Sequence, residues 1–297
     1  MSESAFTAPG EWLKGNLHLH TTSSDGAVEP QEAVALYQGA GYDFLAITDH
    51  NVIVDPDELD DLGMTLLSGV EYGVPTAELG QTVHTVAIGA THCPPDPGTG
   101  VTQDWITTIA ESCEFCFVAH PSWSSLTYRD IVDLQGIHGL EVYNTVCHHG
   151  IGRGTSEVQW DDCLARGREF VAVAVDDAHH KFEDRFYGRI MLKSPDRSRE
   201  AIYAALKAGQ FYATTGPTIE SIEFEDDVIR IESSPCVEFF AVCPQAGRGQ
   251  TNWREGEFGK VMTSCELHLA PESRPVRIVV VDEQGRRAWT NPWYGGE

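Results

Sequence analysis

The sequence predicts an α/β fold followed by a small all-β region. Over about the first two thirds of the 297 residues, short apolar runs typical of strands alternate with amphipathic stretches typical of helices. Repeated units of strand and helix favour a parallel sheet, either open or closed into a barrel. After the segment FYATTGP, residues 211–217, the periodicity changes and every later run indicates a strand.

The first elements are typical of a βαβ unit. The strand-like GNLHLHT, residues 15–21, precedes PQEAVALYQGAGY, whose proline favours a helix start and whose glycines favour a helix stop. The strand-like DFLAITDH completes the unit. Further strands are predicted in TLLSGVEY, TVHTVAIGA, FCFVAHP, GLEVYN and FVAVAVDDAH. Helices are predicted near residues 102–112, 155–167 and 198–208.

The change in periodicity predicts two domains. We place the boundary near Gly216, with an α/β domain over residues 1–215 and a small β-rich domain over residues 216–297. The strand-like runs of the second domain are IESIEFEDDVIRIESS, CVEFFAVCP, KVMTSCELHLA and VRIVVVDEQGRRAWTNP.

The charge of the chain restricts its partners. The chain has 45 acidic and 20 basic residues and a formal charge of −25, which argues against binding a nucleic-acid polymer through its phosphates. No segment approaches the ~20 apolar residues of a membrane span, and MSESAFTAPG lacks the features of a signal peptide. The eight cysteines show no disulfide spacing, which is typical of a reducing compartment. We therefore expect a cytoplasmic protein that binds no membrane, and its oligomeric state is left open.

Metal-binding residue types stand at or near the ends of the predicted strands. In GNLHLHT, His18 and His20 alternate with leucines, so both imidazoles face the same side of an extended segment. Other residues of metal-binding types at or near the ends of predicted strands are Asp25, His50, Glu71, His84, His120, Asn144, Asp177 and His179. In a β/α barrel, side chains at the carboxyl ends of the strands surround one mouth. We therefore expect these groups to form one site.

The residue types favour a cluster of two or three metal ions. Imidazole nitrogen and carboxylate oxygen are ligands of zinc, iron and manganese, and one ion cannot use so many donors. Such a cluster would supply Lewis acidity, a bridging hydroxide nucleophile and charge neutralisation. The alternative is a set of polar groups that are hydrogen-bonded separately. Burying so many of them in one cavity without a cation would be energetically unfavourable.

These motifs resemble the polymerase and histidinol phosphatase (PHP) family. The resemblance spans residues 15 to about 215, and its motifs are H-x-H at 18–20 with the following Asp25, ITDHN at 47–51, GVE at 69–71, AHP at 119–121 and DAH at 177–179. It implies a distorted (β/α)7 barrel. FYATTGP and the closing AWTNP resemble, more narrowly, the subgroup named after carbaryl hydrolase.

The resemblance also implies a ligand set for each of three metals. The first set is His18, His20, Glu71 and Asp177. The second set is His84 and His120, with Glu71 as the bridge from the first metal. The third set is Asp25, His50 and His179.

The predicted activity is hydrolysis, most simply of a phosphoester in a small phosphorylated molecule. The candidate catalytic residues are Glu71 and Asp177, with His148 as a donor of a proton to the leaving group. Asn144, His148 and Arg153 are candidate substrate contacts. One alternative is a carbamate, ester or amide hydrolase, because the same hydroxide can attack a carbonyl carbon. Another is a non-catalytic, metal-stabilised binding module.

Overall fold

The computed structural model describes residues 5–74, 77–79, 82–225, 227–244, 249–252, 259–269 and 274–295. Seven strands form the row that positions the candidate site: β1 (Glu11–Asn16), β2 (Phe44–Ile47), β3 (Thr65–Val74), β4 (Val83–Ile88), β5 (Phe115–Val118), β6 (Gly139–Asn144) and β7 (Val171–Val175). The helices are α1 (Pro30–Gly39), α2 (Thr102–Ala110), α3 (Tyr128–Ile131), α4 (Thr145–Ile151), α5 (Glu157–Ala165) and α6 (Arg199–Lys207), with one 3₁₀ turn at Pro56–Glu58.

The remaining strands are β8 (Arg189–Ser194), β9 (Phe211–Thr214), β10 (Ile219–Glu225), β11 (Val228–Cys236), β12 (Glu238–Val242), β13 (Gly249–Asn252), β14 (Met262–His268), β15 (Arg277–Val281) and β16 (Arg287–Thr290). Among these, β8, β9 and β13 lie outside the predicted strands, and among the helices α3 and α4 lie outside the predicted ones. Within the described parts of the chain, no helix has the length and apolar character needed to span a bilayer.

The row β1–β7 is mostly parallel, with one reversed strand. Strands β1, β2 and β3 pair in parallel, as do β5, β6 and β7, whereas β4 is antiparallel to both β3 and β5. The fully parallel expectation is therefore wrong at β4. The physical reason is the short link between Val74 and Val83, because a parallel pair needs a crossover of about a dozen residues or more.

The two ends of this row meet beyond β1 and β7. Leu19 and Ala178 form an isolated parallel bridge. The backbone N–H of Asp177 donates to the carbonyl of His18 at 2.8 Å, and that of His20 donates to the carbonyl of Ala178 at 2.9 Å. The H-x-H segment thus lies just past the end of β1, not inside a regular strand as expected, and it keeps an extended course.

The same sheet continues on the other side of β1. Its order is β13-β12-β15-β16-β9-β8-β1 and then β2 to β7, while β10, β11 and β14 form a separate three-stranded sheet. The protein therefore has a mixed α/β fold built on one large sheet that is rich in parallel pairs. Among the described residues after Gly216, every regular element is a strand.

Both faces of the strand row are covered by apolar packing. In β5, Phe115 and Phe117 join one hydrophobic cluster, whereas Cys116 and Val118 join another that includes residues of α2 and α5. This division follows from the alternation of side chains along a strand. Strands buried on both faces have nearly continuous apolar sequences such as FCFV, which is typical of parallel sheets. Polar side chains inside or beyond these strands are therefore exceptional.

Candidate metal centre

The nine side chains expected to bind metal converge at one place. They form three groups, and within each group the candidate ligand atoms lie within 4.8 Å of one another. The groups are His18, His20, Glu71 and Asp177; Glu71, His84 and His120; and His20, Asp25, His50 and His179. Because Glu71 and His20 each belong to two groups, the nine side chains form one continuous set, called here the ligand cluster.

The first group is almost completely buried. Oε2 of Glu71 lies 3.2 Å from Nε2 of His18 and 3.1 Å from Nε2 of His20. Oδ1 of Asp177 lies 3.0 Å from the same nitrogen of His20. The two histidine Nε2 atoms are 3.1 Å apart. Two imidazoles and two carboxylates thus direct nitrogen and oxygen atoms at one small volume.

Glu71 stands between the first and second groups. Its Oε1 lies 2.8 Å from Nδ1 of His84 and 3.1 Å from Nε2 of His120, whereas the contacts with His18 and His20 are made by Oε2. The carboxylate is 1% exposed and belongs to β3 in an otherwise apolar stretch. Each of its two oxygens therefore faces a different set of imidazoles.

The third group is nearer to solvent. Nε2 of His179 lies 3.2 Å from Oδ2 of Asp25, and Nε2 of His50 lies 3.7 Å from Oδ1 of the same carboxylate. The Asp25 side chain is 48% exposed and that of His50 is 31% exposed, whereas those of Glu71 and Asp177 are at most 5% exposed. The ligand cluster therefore runs from a buried interior to an open edge.

A tight loop brings Asp25 back over His20. Asp49 accepts hydrogen bonds from the backbone N–H and hydroxyl of Thr21 and from the same two groups of Ser24. A Cβ at Gly26 would lie 2.3 Å from the carbonyl oxygen of His20, so a side chain there would force the loop away. Asp49 thus holds the loop through Thr21 and Ser24.

Glu141 is a buried site residue that the sequence analysis missed. Its Oε1 lies 2.7 Å from Nδ1 of His18, and its Oε2 accepts the backbone N–H of His120 at 2.7 Å and the amide of Asn144 at 2.9 Å. A carboxylate on Nδ1 fixes the tautomer that leaves Nε2 free, which is the arrangement metal-bound histidines usually have. The available signal was the lone acidic residue within the apolar strand GLEVYN.

Asn144 and Asp176 also tie ligand-bearing segments together. Asn144 donates to Oδ2 of Asp177 at 3.0 Å and accepts the backbone N–H of Cys147 as the N-cap of α4. Asp176 accepts hydrogen bonds from the hydroxyls of Tyr37 and Thr145 and from three backbone N–H groups after β7. Burial raises the pKa of Asp176 to about 6. Asn144, a candidate substrate contact, is therefore fully buried and bonded to protein groups.

Charge coupling inside the cluster is strong. Burial alone lowers the pKa of His20, but its contacts with the carboxylates of Asp177 and Glu71 outweigh burial and raise that pKa to about 9. Burial likewise opposes protonation of His18, and the carboxylates still raise its pKa. The pKa of Glu71 is held well below its usual value by His18 and His120, against the effect of burial. The buried imidazoles and carboxylates of the cluster therefore stabilise each other's charged forms.

The donor set fits divalent cations. The Nδ1 atom of His20 and the Oδ1 atom of Asp177 are buried and make no hydrogen bond of suitable geometry with the described residues. Buried polar atoms are normally satisfied, so orphaned atoms beside a set of imidazoles and carboxylates indicate a missing partner. Nitrogen and oxygen donors of these types suit zinc, iron and manganese.

The backbone is strained at two members of the cluster. His120 and Asp177 have φ angles of 29° and 54°, in the left-handed region that residues other than glycine seldom adopt. Such conformations cost about 1–3 kcal/mol each and concentrate at functional sites. At both positions the unusual φ follows a buried strand and turns the side chain toward Glu71.

A cavity of about 370 Å³ opens onto the ligand cluster. Seven cluster residues line it, together with Lys181 and several apolar side chains, among them Trp123, Ile151 and Phe182. Sequence reasoning identified none of these four residues, because apolar and basic side chains in loops and at helix ends follow no periodic pattern that separates the lining of a cavity from an ordinary surface.

His148 and Arg153 do not line this cavity in the described structure. His148 lies on α4, and residues 146, 147, 150 and 151 of that helix face the cavity, so helical periodicity turns His148 away. Its ring centroid lies 5.3 Å from that of Tyr143. Arg153 donates to the hydroxyl of Ser125 at 3.1 Å. The cation at the cavity is Lys181, whose Nζ lies 3.8 Å from Oδ2 of Asp25.

Comparison with curated sequences gives one partial match. No family model matches the chain. A 5'-3' exoribonuclease from Haemophilus influenzae is 35% identical over 79 residues, which are 25% of this chain and 28% of that protein. The chain therefore matches less than a third of the length of this relative.

Two solved structures are similar to this chain at low sequence identity. An amidohydrolase from Chromobacterium violaceum is 19% identical, with a TM-score of 0.47 over 66% of this chain and 96% of its own. A two-domain protein from Bacteroides vulgatus contains a predicted PHP-like metal-dependent phosphoesterase; it is 15% identical, with a TM-score of 0.55 over 99% of each chain. The likeness to the Bacteroides protein shows that this chain shares the mixed α/β fold of a PHP-like protein.

Proposed function

We propose that this chain is a metal-dependent hydrolase of the PHP type that acts as a phosphoesterase on a small phosphorylated molecule. The observation that carries the proposal is the position of Glu71. It is a buried carboxylate whose two oxygens face two separate sets of imidazoles beneath an open cavity. Three overlapping groups of donors are suited to two or three ions of zinc, manganese or iron. The shared fold with a PHP-like protein supports the assignment.

The proposal gives each part of the cluster a role. When bound, the ions would supply Lewis acidity, activation of water and neutralisation of charge on the reacting group. Glu71 would be the ligand shared by two ions, and Asp177, whose Oδ1 is buried without a hydrogen-bond partner among the described residues, would hold an ion of the first group. Lys181 Nζ would hold an anionic oxygen of the substrate at the open edge.

The proposal extends to the fold and to the narrower subgroup. Residues 1–215 would form a distorted (β/α)7 barrel, which the meeting of the segments after β1 and β7 supports. Residues 216–297 would form a small β-rich domain on it, supported by the strands that make up its described elements. Membership of the subgroup named after carbaryl hydrolase rests on the FYATTGP and AWTNP segments.

A second candidate is hydrolysis of a carbamate, ester or amide. The cavity lining offers one cation among the described residues, Lys181, and a neutral substrate requires no more. A screen of phosphomonoesters, cyclic phosphodiesters and aryl carbamates at equal concentration separates the two candidates. Turnover of phosphomonoesters supports the first, and turnover of carbamates alone supports the second.

Substitution of Glu71 tests the proposal most directly. Glu71→Gln keeps the shape and removes the charge of the shared ligand, so it should lower the metal content by more than one equivalent per chain and abolish turnover. His179→Ala removes a ligand of the exposed third group alone and should lower the metal content by about one equivalent or less. Elemental analysis and turnover of both variants provide the measurement.

The control is Glu223→Gln, which changes an exposed carboxylate on β10, remote in sequence from the cluster. It should keep the metal content and rate of the unmodified chain. A Glu71→Gln protein with unchanged metal content and rate would overturn the proposal, as would a protein that binds no transition metal under any condition of preparation.

A further inference from the structure

One wall of the cavity contributes no candidate metal ligand. This wall, called here the apolar wall, consists of Trp123, Val146, Cys147, Gly150, Ile151 and Phe182. These residues come from three segments: the loop after β5, the face of α4 that points at the cavity, and the loop after β7. The other residues that line the cavity are Lys181 and seven members of the ligand cluster, so the cavity has a polar half and an apolar half.

The three largest side chains of the apolar wall are exposed in the free chain. Trp123 is 43% exposed, Ile151 is 60% exposed and Phe182 is 45% exposed. Single exposed apolar residues are ordinary on protein surfaces, but several that converge on one cavity indicate a ligand site. The ring of Trp123 also lies 5.0 Å from that of His120, between centroids, so the apolar wall is continuous with the ligand cluster.

The apolar wall has few polar groups to offer a ligand. A sugar carries several hydroxyl groups, and each would lose its bond to water against Trp123, Ile151 and Phe182. Lys181, the cation of the lining, lies on the same side as Asp25 and belongs to the polar half. An apolar group loses nothing on this surface and gains from the area that it removes from water.

We infer that the apolar wall is a subsite for the departing group of the substrate, and that this group is a flat apolar one about the size of a benzene ring. The inference rests on the proposed function, because it assigns the ester bond to the polar half of the cavity. The cavity volume of about 370 Å³ is near the lower end of small-molecule sites and suits one ring together with a phosphoryl group. The substrate class is therefore a phosphomonoester of an aromatic or arylalkyl alcohol.

The test compares two esters that differ in the ring and share a primary alkyl ester bond. The value of kcat/KM for benzyl phosphate should exceed that for ethyl phosphate by about tenfold or more. Phe182→Ala and, separately, Ile151→Ala should each lower the ratio of the two values several-fold, because they remove apolar surface that only the benzyl group contacts. Val158→Ala is the matched control, since Val158 on α5 is 72% exposed and does not line the cavity.

A ratio near one in the unmodified chain would overturn the inference. So would a ratio that neither Phe182→Ala nor Ile151→Ala changes. Both substitutions truncate exposed side chains, and thermal unfolding of each variant shows whether the fold is kept.

A second measurement separates this inference from the proposed function. If the metal-loaded chain hydrolyses neither ester, the phosphoesterase proposal fails, and calorimetry with benzylphosphonate and methylphosphonate still tests the apolar wall. Tighter binding of benzylphosphonate, weakened by Phe182→Ala, supports the subsite. Equal affinities for the two phosphonates contradict it.

Discussion

His18 is held by carboxylates at both nitrogens of its ring. Glu141 lies 2.7 Å from Nδ1, while Glu71 and Asp177 lie within 3.3 Å of Nε2. Glu141 also accepts the backbone N–H of His120 and the amide of Asn144, which in turn donates to Asp177. One buried carboxylate therefore orients three members of the ligand cluster without facing the cavity.

Removal of Glu141 should lower the metal affinity of the ligand cluster, although Glu141 does not line the cavity. Glu141→Ala leaves Nδ1 of His18 and the backbone N–H of His120 without acceptors, and loss of such a partner typically costs 10–100-fold in metal affinity. Competition with a chelator measures the affinity for each ion. Glu141→Gln keeps an acceptor oxygen and should recover part of the loss.

The comparison for this prediction is Glu220→Gln, a change to an exposed residue of β10, which should leave metal affinity unchanged. Unaltered affinity in Glu141→Ala would show that His18 keeps its orientation without this carboxylate.

Among the elements, loops after the strands carry the more exposed ligands. The loop of residues 21–26 folds back on itself through Asp49, which is fully buried and accepts four hydrogen bonds from Thr21 and Ser24. The segment after β7 is fastened in the same way by Asp176. A rigid loop keeps Asp25 near His50 and His179 although its side chain is half exposed.

Asp49→Ala should therefore affect the third group before the other two. Without the carboxylate, the loop loses four bonds to a charged acceptor, and we expect a loss of about 2–3 kcal/mol in the free energy of unfolding. Asp25 should then be poorly placed, so the metal content should fall by about one equivalent while the buried groups keep theirs. Denaturant unfolding and elemental analysis measure the two effects.

Asp61→Ala is the matched control for this prediction. Asp61 accepts a hydrogen bond from the backbone N–H of Gly63 in an exposed loop. Asp61→Ala should lower the free energy of unfolding by less than Asp49→Ala does and should leave the metal content unchanged. Loss of metal from all three groups in Asp49→Ala would mean that the loop supports the whole cluster.

At the scale of the whole molecule, the C-terminal strands are fastened to the site-bearing part by ion pairs. Arg277 of β15 is 2% exposed, and its guanidinium donates two bonds of 2.8 Å to the carboxylate of Asp161 and one of 3.2 Å to Glu157, both on α5. Arg287 of β16 donates to Glu157 as well. The main sheet also crosses the predicted boundary, because β9 pairs with both β8 and β16.

Arg277→Met should destabilise the whole chain. Breaking a buried ion pair at one partner leaves the other charges uncompensated and typically costs about 3–5 kcal/mol. Because Asp161 and Glu157 are partly exposed, the loss should be at the lower end of this range. We expect the free energy of unfolding, measured with denaturant, to fall by about 3 kcal/mol. A single transition is expected, because the sheet is shared.

The exposed pairs of Arg230 with Glu225 and Glu266 provide the control. Arg230→Met should change the free energy of unfolding by about 1 kcal/mol or less. If Arg277→Met and Arg230→Met lowered the free energy of unfolding equally, burial of Arg277 would not increase the contribution of its ion pairs to stability.

The sequence alone indicated which residue types stand at the ends of the strands, and the structure brings those residues together. Strand order, the alternation of side chains and the position of His, Asp and Glu after an apolar run are local properties that can be read along the chain. For this reason these side chains could be expected to form one site before the fold was known, whereas the grouping of His18, His20, Glu71 and Asp177 is what the resemblance to the PHP family implies. The strands found among the described residues after Gly216 were predictable on the same ground.

Only the tertiary structure decided features that depend on distant parts of the chain. Glu141 reaches His18 across 123 residues of sequence, and no local pattern contains that pairing. The reversal of β4 follows from a short link that forbids a crossover, and the course of α4 turns His148 away while it directs Ile151 into the cavity. Trp123, Lys181 and Phe182 form a site because three separate segments converge. Such convergence is set by long-range packing, which sequence periodicity does not encode.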